Sequence, residues 1–262
     1  MIKETEISVF PNKLDDKELY KKLAAKNLKI TASDITAVRV IRRSIDARGK
    51  YPQYKMKVKV YINEFFVDEK TEFNFKDISK GKRVLIVGSG PSGLFAALKL
   101  IELGIKPIII ERGSDVRARR RDLKAIQQDG IVNPNSNYCF GEGGAGTYSD
   151  GKLYTRSTKR GDVSRILNLL VQHGAKEEIL IDAHPHIGSN KLPKVVVEIR
   201  NTLLNNGGEI HFDSKVTDFI ISENSIHGVV VNDSKEFIGD SVILATGHSA
   251  RDIYYLLNKH NV

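Results

Sequence analysis

The chain of 262 residues holds a single cysteine, Cys139, so it can close no internal disulfide. No CxxC pair is present for dithiol redox chemistry. No run of about eighteen apolar residues occurs, which leaves no candidate for a membrane-spanning helix. The opening residues MIKETEISVF lack the basic-then-apolar layout of a signal peptide, so a cytoplasmic location without membrane contact is expected. Metal-ligand spacing is missing too. His184 and His186 flank Pro185, but no Cys or carboxylate cluster joins them, and no metal is expected. Acidic charge falls short of basic: 32 Asp and Glu against 41 Lys and Arg give a formal net charge of +9. The excess gathers in Arg39, Arg42, Arg43, Arg48 and Lys50, and again in Arg117, Arg119, Arg120 and Arg121. Solvated surface and compensation for an anionic ligand account for these clusters. Phosphate neutralisation along a nucleic acid is the alternative, but no nucleic-acid-binding motif accompanies the charge.

What the sequence has is two patterns in series. Residues 1–76 read as a small α+β module of order βαββ. Glu6–Phe10 alternates as a strand, Asp15 or Asp16 caps a helix to about Lys26, and Ile35–Ile45 and Tyr54–Ile62 read as strands joined near Arg48–Lys50. Met56, Val58, Val60 and Ile62 alternate with Lys55, Lys57, Lys59 and Tyr61, which predicts one buried and one wet face. The polar stretch Asn63–Lys80 reads as a connector.

A second domain, residues 77–262, opens with an apolar strand at Arg83–Val87. A helix over Pro91–Leu103 and a strand over Pro107–Glu111 complete a βαβ unit. Residues 113–190 read as a long insertion that includes a helix over Val163–His173. A helix over Pro193–Asn205 leads into strand Glu209–Phe212. Val216–Ile221, Ile226–Val231 and the Phe237 region form a meander, and Ser241–Ala245 is the last buried strand.

Between the first strand and helix lies Gly88-Ser89-Gly90-Pro91-Ser92-Gly93. Gly88 permits the tight turn, Gly90 lets a pyrophosphate approach backbone N–H groups, and Gly93 allows close helix–strand packing. The helix N-terminus adds partial positive charge. Glu111, ending the next strand, would accept hydrogen bonds from adenosine ribose hydroxyls and disfavours a 2′-phosphate, which speaks against NADP at this site. A second glycine-rich segment, Phe140–Leu153, carries five glycines within Gly141–Gly151. Such density is costly in folding entropy and suits a backbone laid against a ligand; a surface loop is the plainer reading. Thr147 and Ser149 add hydroxyls among these small residues.

Glu111-Arg112-Gly113 and Ala245-Thr246-Gly247 resemble the ERG-like and ATG segments of two-dinucleotide-binding-domain flavoproteins. The runs CFGEGGAGTYSDGKLYTR (Cys139–Arg156), AHPHIG (Ala183–Gly188), ATGHSARD (Ala245–Asp252) and RRSIDAR (Arg42–Arg48) resemble a bacterial family of uncharacterised FAD-dependent dehydrogenases, the NAD(FAD)-utilising dehydrogenases. The resemblance implies an α/β fold: a Rossmann-like FAD/NAD(P)-binding domain with a β-meander, preceded by the small βαββ domain. It implies FAD held by Gly88, Gly90, Pro91, Ser92, Gly93, Glu111, Arg112, Gly143, Gly144, Ala145, Gly146, Thr147, Ser149, Ala245, Thr246 and Gly247, with Val216 at the adenine edge. Members of that family run longer than this chain, so a truncated or unusually short member is expected.

The implied activity is that of an FAD-dependent oxidoreductase, exchanging hydride at flavin N5, with an unidentified small-molecule substrate and NAD(P)H as candidate electron donor. An RNA-associated flavoprotein and a catalytically silent nucleotide-binding scaffold are the rival readings. His184, His186 and His248 are the catalytic candidates, set against plain loop roles. Arg251 could meet an anionic substrate or the flavin phosphate. Cys139 reads as a buried, inert thiol rather than a redox partner.

Overall fold

A computed structural model describes residues 1–67, 71–153 and 161–262. The Tyr154–Arg156 end of the second glycine-rich run, and residues 68–70 of the expected connector, lie outside the described residues. In chain order the elements are β1 (Ile2–Val9), α1 (Lys17–Leu28), β2 (Ile35–Asp46), β3 (Gln53–Ile62), β4 (Arg83–Val87), α2 (Pro91–Glu102), β5 (Lys106–Ile110) and α3 (Val116–Asp129). They continue with α4 (Val163–Gln172), α5 (Leu192–Asn205), β6 (Glu209–His211), β7 (Val216–Ser222), β8 (Ser225–Val231), β9 (Lys235–Ile238), β10 (Ser241–Leu244) and α6 (Arg251–Lys259).

The chain divides into two compact units. The first comprises Met1–Glu72, Lys152–Val171 and Lys176–Ile187; the second comprises Phe73–Gly151, Gln172–Ala175 and Gly188–Val262. The sequence places a single cut at 76/77 and treats 113–190 as one insertion. The structure instead shares that stretch between the units. In the first unit, Arg43 N–H donates to Ile181 O at 2.6 Å, Ala183 N–H donates to Arg43 O at 2.8 Å, and Arg43 Nε meets Asp182 Oδ1 at 2.7 Å. Residues 181–183 therefore pair with the open edge of β2 at Arg43.

The first unit is a three-stranded antiparallel sheet of order β1-β3-β2 with α1 against one face. Asp16 accepts from Leu19 N–H at 2.9 Å and so satisfies one open donor of α1. Ile7, Val9, Tyr20, Ala24, Met56, Val58 and Val60 form its core. On the opposite face Lys57 pairs with Glu4 at 2.6 Å and Lys55 with Asp46 at 3.1 Å, while Arg48 also pairs with Asp46. Of the first basic cluster, Arg43 and Arg48 are thus paired with carboxylates of the same unit.

The second unit holds a parallel sheet of order β10-β4-β5-β6 and an antiparallel meander β7-β8-β9. Leu85, Val87, Ile108 and Ile110 face the meander residues Val216, Phe219, Val229, Val231 and Phe237. Alternation along the strands turns Ile86 the other way, toward α2, where a Cβ built on Gly93 would touch its Cγ2 at 3.3 Å. The chain steps from β4 to β5 on one side, and β10 returns on the other side of β4. The strand order thus reverses at the carboxyl end of β4, the place where open α/β sheets form a ligand crevice.

The expected connector is partly pinned. Ile78 is buried and its N–H donates to Asn206 O at 2.9 Å, and Phe73 exchanges two hydrogen bonds with the Gln172 amide, each 2.8 Å. Inside the expected insertion, Val116–Asp129 is a helix, an element absent from the sequence-based expectation. Asp115 caps it by accepting from Arg117 N–H at 2.7 Å, and Gly130 ends it in the left-handed conformation.

Candidate FAD cleft

The crevice at the end of β4 is a cleft of about 320 Å³, within the range of small-molecule sites. Gly88, Gly90, Pro91 and Ser92 line it on one side, and Phe140, Gly141, Gly144, Ala145 and Gly146 on another. Glu111, Arg112, Val216, Ala245, Thr246, Gly247 and His248 complete the wall with their neighbours.

The first glycine-rich turn is fixed by sterics. Gly88 has φ +107°, and a Cβ there would stand 2.5 Å from Ala245 O. A Cβ on Gly93 would stand 2.0 Å from Gly88 O. Both positions exclude any side chain. Gly90 differs: the nearest heavy atom to its built Cβ is Gly144 Cα at 3.8 Å, so the turn could carry a side chain there only by filling the gap to the second loop. Gly90 is also the N-cap of α2, and no side chain caps that helix. Pro91 has no N–H and Leu94 N–H donates to Gly90 O, which leaves the Ser92 and Gly93 N–H groups of the first turn without a partner among the described residues, an arrangement that suits an anion.

Glu111 takes a different part from the one expected of it. The carboxylate is 4% exposed, and its own chain occupies both oxygens. Oε2 accepts from Ser89 N–H at 2.7 Å and from the Ser89 hydroxyl at 2.8 Å; Oε1 accepts from Gly113 N–H at 2.8 Å and Gly141 N–H at 3.0 Å. Glu111 therefore ties both glycine-rich segments and the turn after β5 to one point. A ribose hydroxyl would have to displace one of these donors.

The second segment is held from behind by Arg119, which sequence placed in a solvated cluster. Arg119 is 1% exposed. Its Nε donates to Asn137 O at 3.0 Å and Nη2 to Tyr138 O at 3.1 Å. Nη1 lies 3.3 Å from Gly141 O, 2.8 Å from Glu142 O and 2.8 Å from Gly144 O. Burial pulls this guanidinium below its ordinary range. Five carbonyl acceptors offset that cost, as buried charge requires. Gly141 leaves room for the arginine, since a Cβ there would stand 2.5 Å from Arg119 Cδ.

Beside it, Glu142 is fully buried. Its Oε2 accepts from Val116 N–H at 2.8 Å and from Arg200 Nη1 at 3.0 Å, while Oε1 has no partner. Burial pushes this carboxyl up to about 6, against the lowering effect of the Val116 N–H and Arg200. An unpartnered buried oxygen is better tolerated on a neutral acid, so the orphaned Oε1 and the upward shift agree.

The expected site residues divide accordingly. Gly88, Gly90, Pro91, Ser92, Glu111, Arg112, Gly144, Ala145, Gly146, Val216, Ala245, Thr246 and Gly247 lie on the cleft. Gly93 lies behind it in the helix–strand contact. Thr147 is buried and donates to Glu142 O at 3.2 Å, with Gly143 packed against its hydroxyl. Ser149 donates to Gly146 O at 2.8 Å and accepts from Gly151 N–H at 3.2 Å. These three, Gly143, Thr147 and Ser149, brace the loop rather than line the cleft. Cys139 is exposed on the cleft and not buried, which corrects the expectation of an inert core thiol. Arg112 pairs with Asp252 and lies over the Phe140 ring at 4.3 Å. His248 is exposed at the cleft, whereas exposed His184 and His186 belong to the first unit, and Arg251 is an exposed first residue of α6. Among the described residues no group of three metal-ligating side chains is present, and no helix is long and apolar enough to cross a membrane.

Comparison with known proteins falls on the same segments. Residues 82–125 match the family of FAD binding domains, and residues 1–61 match a domain of unknown function, DUF8436. The first match spans β4, the glycine turn, α2, β5 and the start of α3. FAD is the cofactor of this chain. A curated protein of Clostridium beijerinckii, described as "Uncharacterized protein", is 38% identical over 267 residues, covering 95% of this chain and 49% of that protein. The chain thus spans about half the length of the curated relative it matches. Among solved structures, Thermovibrio ammonificans THI4 is 17% identical with a TM-score of 0.44, covering 70% of this chain and 64% of that one. The glycerol-3-phosphate dehydrogenase from Bacillus halodurans complexed with FAD is 16% identical with a TM-score of 0.40, covering 64% and 35%.

Proposed function

We propose that this chain is the FAD-holding part of an oxidoreductase of the FAD-dependent dehydrogenase type, with a small-molecule substrate and NAD(P)H as electron donor. The observation that carries the reading is the uncapped α2 N-terminus facing a second glycine-rich loop across the cleft at the end of β4. The α2 N-terminus and the loop backbone would hold the pyrophosphate, and Val216 would border the adenine. Bound flavin supplies hydride acceptance at N5; the protein's share is binding, orientation and exclusion of water. His248 and the Cys139 thiol are the cleft's own candidates for proton handling and redox contact. A cytoplasmic location fits this reading.

The test is anaerobic. Purified chain loaded with FAD is mixed with NADH or NADPH, and flavin absorbance near its visible maximum is followed. Bleaching supports the dehydrogenase reading; bound FAD that no nicotinamide donor reduces would leave only the scaffold reading.

A further inference from the structure

We infer that Arg119 is a positioning residue of the cofactor cleft: from behind the second glycine-rich loop it turns the Ala145 N–H toward the pyrophosphate of the bound dinucleotide. The inference rests on the FAD reading for the identity of the ligand, and on the loop geometry for everything else.

The Gly144 carbonyl and the Ala145 N–H belong to one peptide unit. In a trans unit these two groups point in opposite directions. Gly144 O is 2.8 Å from Arg119 Nη1, so the Ala145 N–H points away from the arginine. Ala145 is exposed and lines the cleft. Of the four other peptide groups that Arg119 holds, three spend their N–H inside the chain. Cys139 N–H donates to Asn137 Oδ1 at 2.8 Å, Glu142 N–H to Ser114 O at 3.1 Å, and Gly143 N–H to Ser89 O at 2.9 Å. Ala145 N–H has no such partner among the described residues. It is left as an open donor next to the α2 N-terminus, where Gly144 stands 3.1 Å (built Cβ to Gly90 Cα) from the first turn.

A buried cation that collects carbonyls on one side of a loop necessarily presents amides on the other. That is how a backbone concavity for anions is built. The five-donor guanidinium fork suits the task, because a single Nζ cannot reach carbonyls spread from Asn137 to Gly144 with the same geometry.

The experiment uses the chain with 15N-labelled backbone, titrated with FAD and, separately, with inorganic pyrophosphate. In the wild type the Ala145 amide proton is expected to move downfield with either probe. In Arg119→Lys that shift is expected to shrink and FAD binding to weaken about tenfold. Ala145→Pro removes the donor while leaving Arg119 in place, and is expected to weaken FAD binding about tenfold as well. The double variant should be no weaker than the poorer single one, because both changes remove the same contact. If Arg119→Lys fails to fold, Ala145→Pro decides alone: unchanged affinity for both probes overturns the inference. Additive losses in the double variant, or an Ala145 amide that moves with neither probe, overturn it too. A wild type that answers to pyrophosphate but not to FAD would instead remove the FAD reading and leave the role of Arg119 standing.

Discussion

The two glycine-rich segments that face each other across the cleft are shaped by different forces. The turn Gly88–Gly93 is fixed by sterics: backbone atoms of Ala245 leave no room for a Cβ at Gly88, and Gly88 itself leaves none at Gly93. The loop Phe140–Gly151 is fixed by the hydrogen bonds of three buried ionisable side chains: Arg119 on its carbonyls, Glu111 on the Gly141 N–H, and Glu142 against Val116 N–H and Arg200. A sterically defined turn tolerates almost any environment. A loop defined by hydrogen bonds holds its shape only while every buried partner keeps its protonation state and place. The two walls of one cleft should therefore fail in different ways.

The largest effect is expected at Gly93. A valine there would push into Gly88 O and the β4–α2 contact, and should cost more than about 4 kcal/mol, read as loss of a cooperative transition in urea. Next comes Glu142. Its carboxyl sits near 4.5 in the unfolded chain and about 6 in the fold, so the folded state holds the proton more tightly. That contribution is fully present below about pH 4.5 and is lost as pH rises through about 6, a difference of about 2 kcal/mol. Glu142→Gln should flatten urea stability between pH 4.5 and 7 relative to wild type; an unchanged slope would show that the group does not titrate there. The smallest effect is a control outside the cleft. Asp16→Ala removes the α1 cap, should cost about 1 kcal/mol, and should leave FAD affinity unaltered.

The contrast also explains what the sequence made legible. Gly88, Gly90 and Gly93 are readable because their spacing is local and strand and helix flank them in order, although the atoms that press on Gly88 belong to Ala245. The alternation of Met56, Val58, Val60 and Ile62 is readable for the same local reason, and all four are buried. Arg119 was not readable. It sits in the run Arg117–Arg121, which by composition is solvated surface, and only the fold shows which one of these arginines turns inward. Its sequence signal was weak but present: a helical run capped by Asp115 places one face of those arginines toward whatever α3 packs on. Thr147 and Ser149 misled for the opposite reason. Hydroxyls among glycines suit a ligand, yet here they satisfy the loop's own carbonyls. Cys139 is exposed because Asn137 and the carbonyls bound to Arg119 fix the bent stretch before Phe140 with its thiol outward.

The central claim is that FAD lies in the gap between these two segments, and Gly90→Asp tests it most directly. The built Cβ of Gly90 meets only Gly144 Cα, at 3.8 Å, and Asp is a favourable N-cap for α2, so the fold should survive with an unchanged or higher melting temperature. The new carboxylate would occupy the anion position. Titrated by flavin fluorescence, the wild type should bind FAD at one per chain, and Gly90→Asp should bind on the order of a hundredfold more weakly. A folded Gly90→Asp with wild-type FAD affinity would contradict the account.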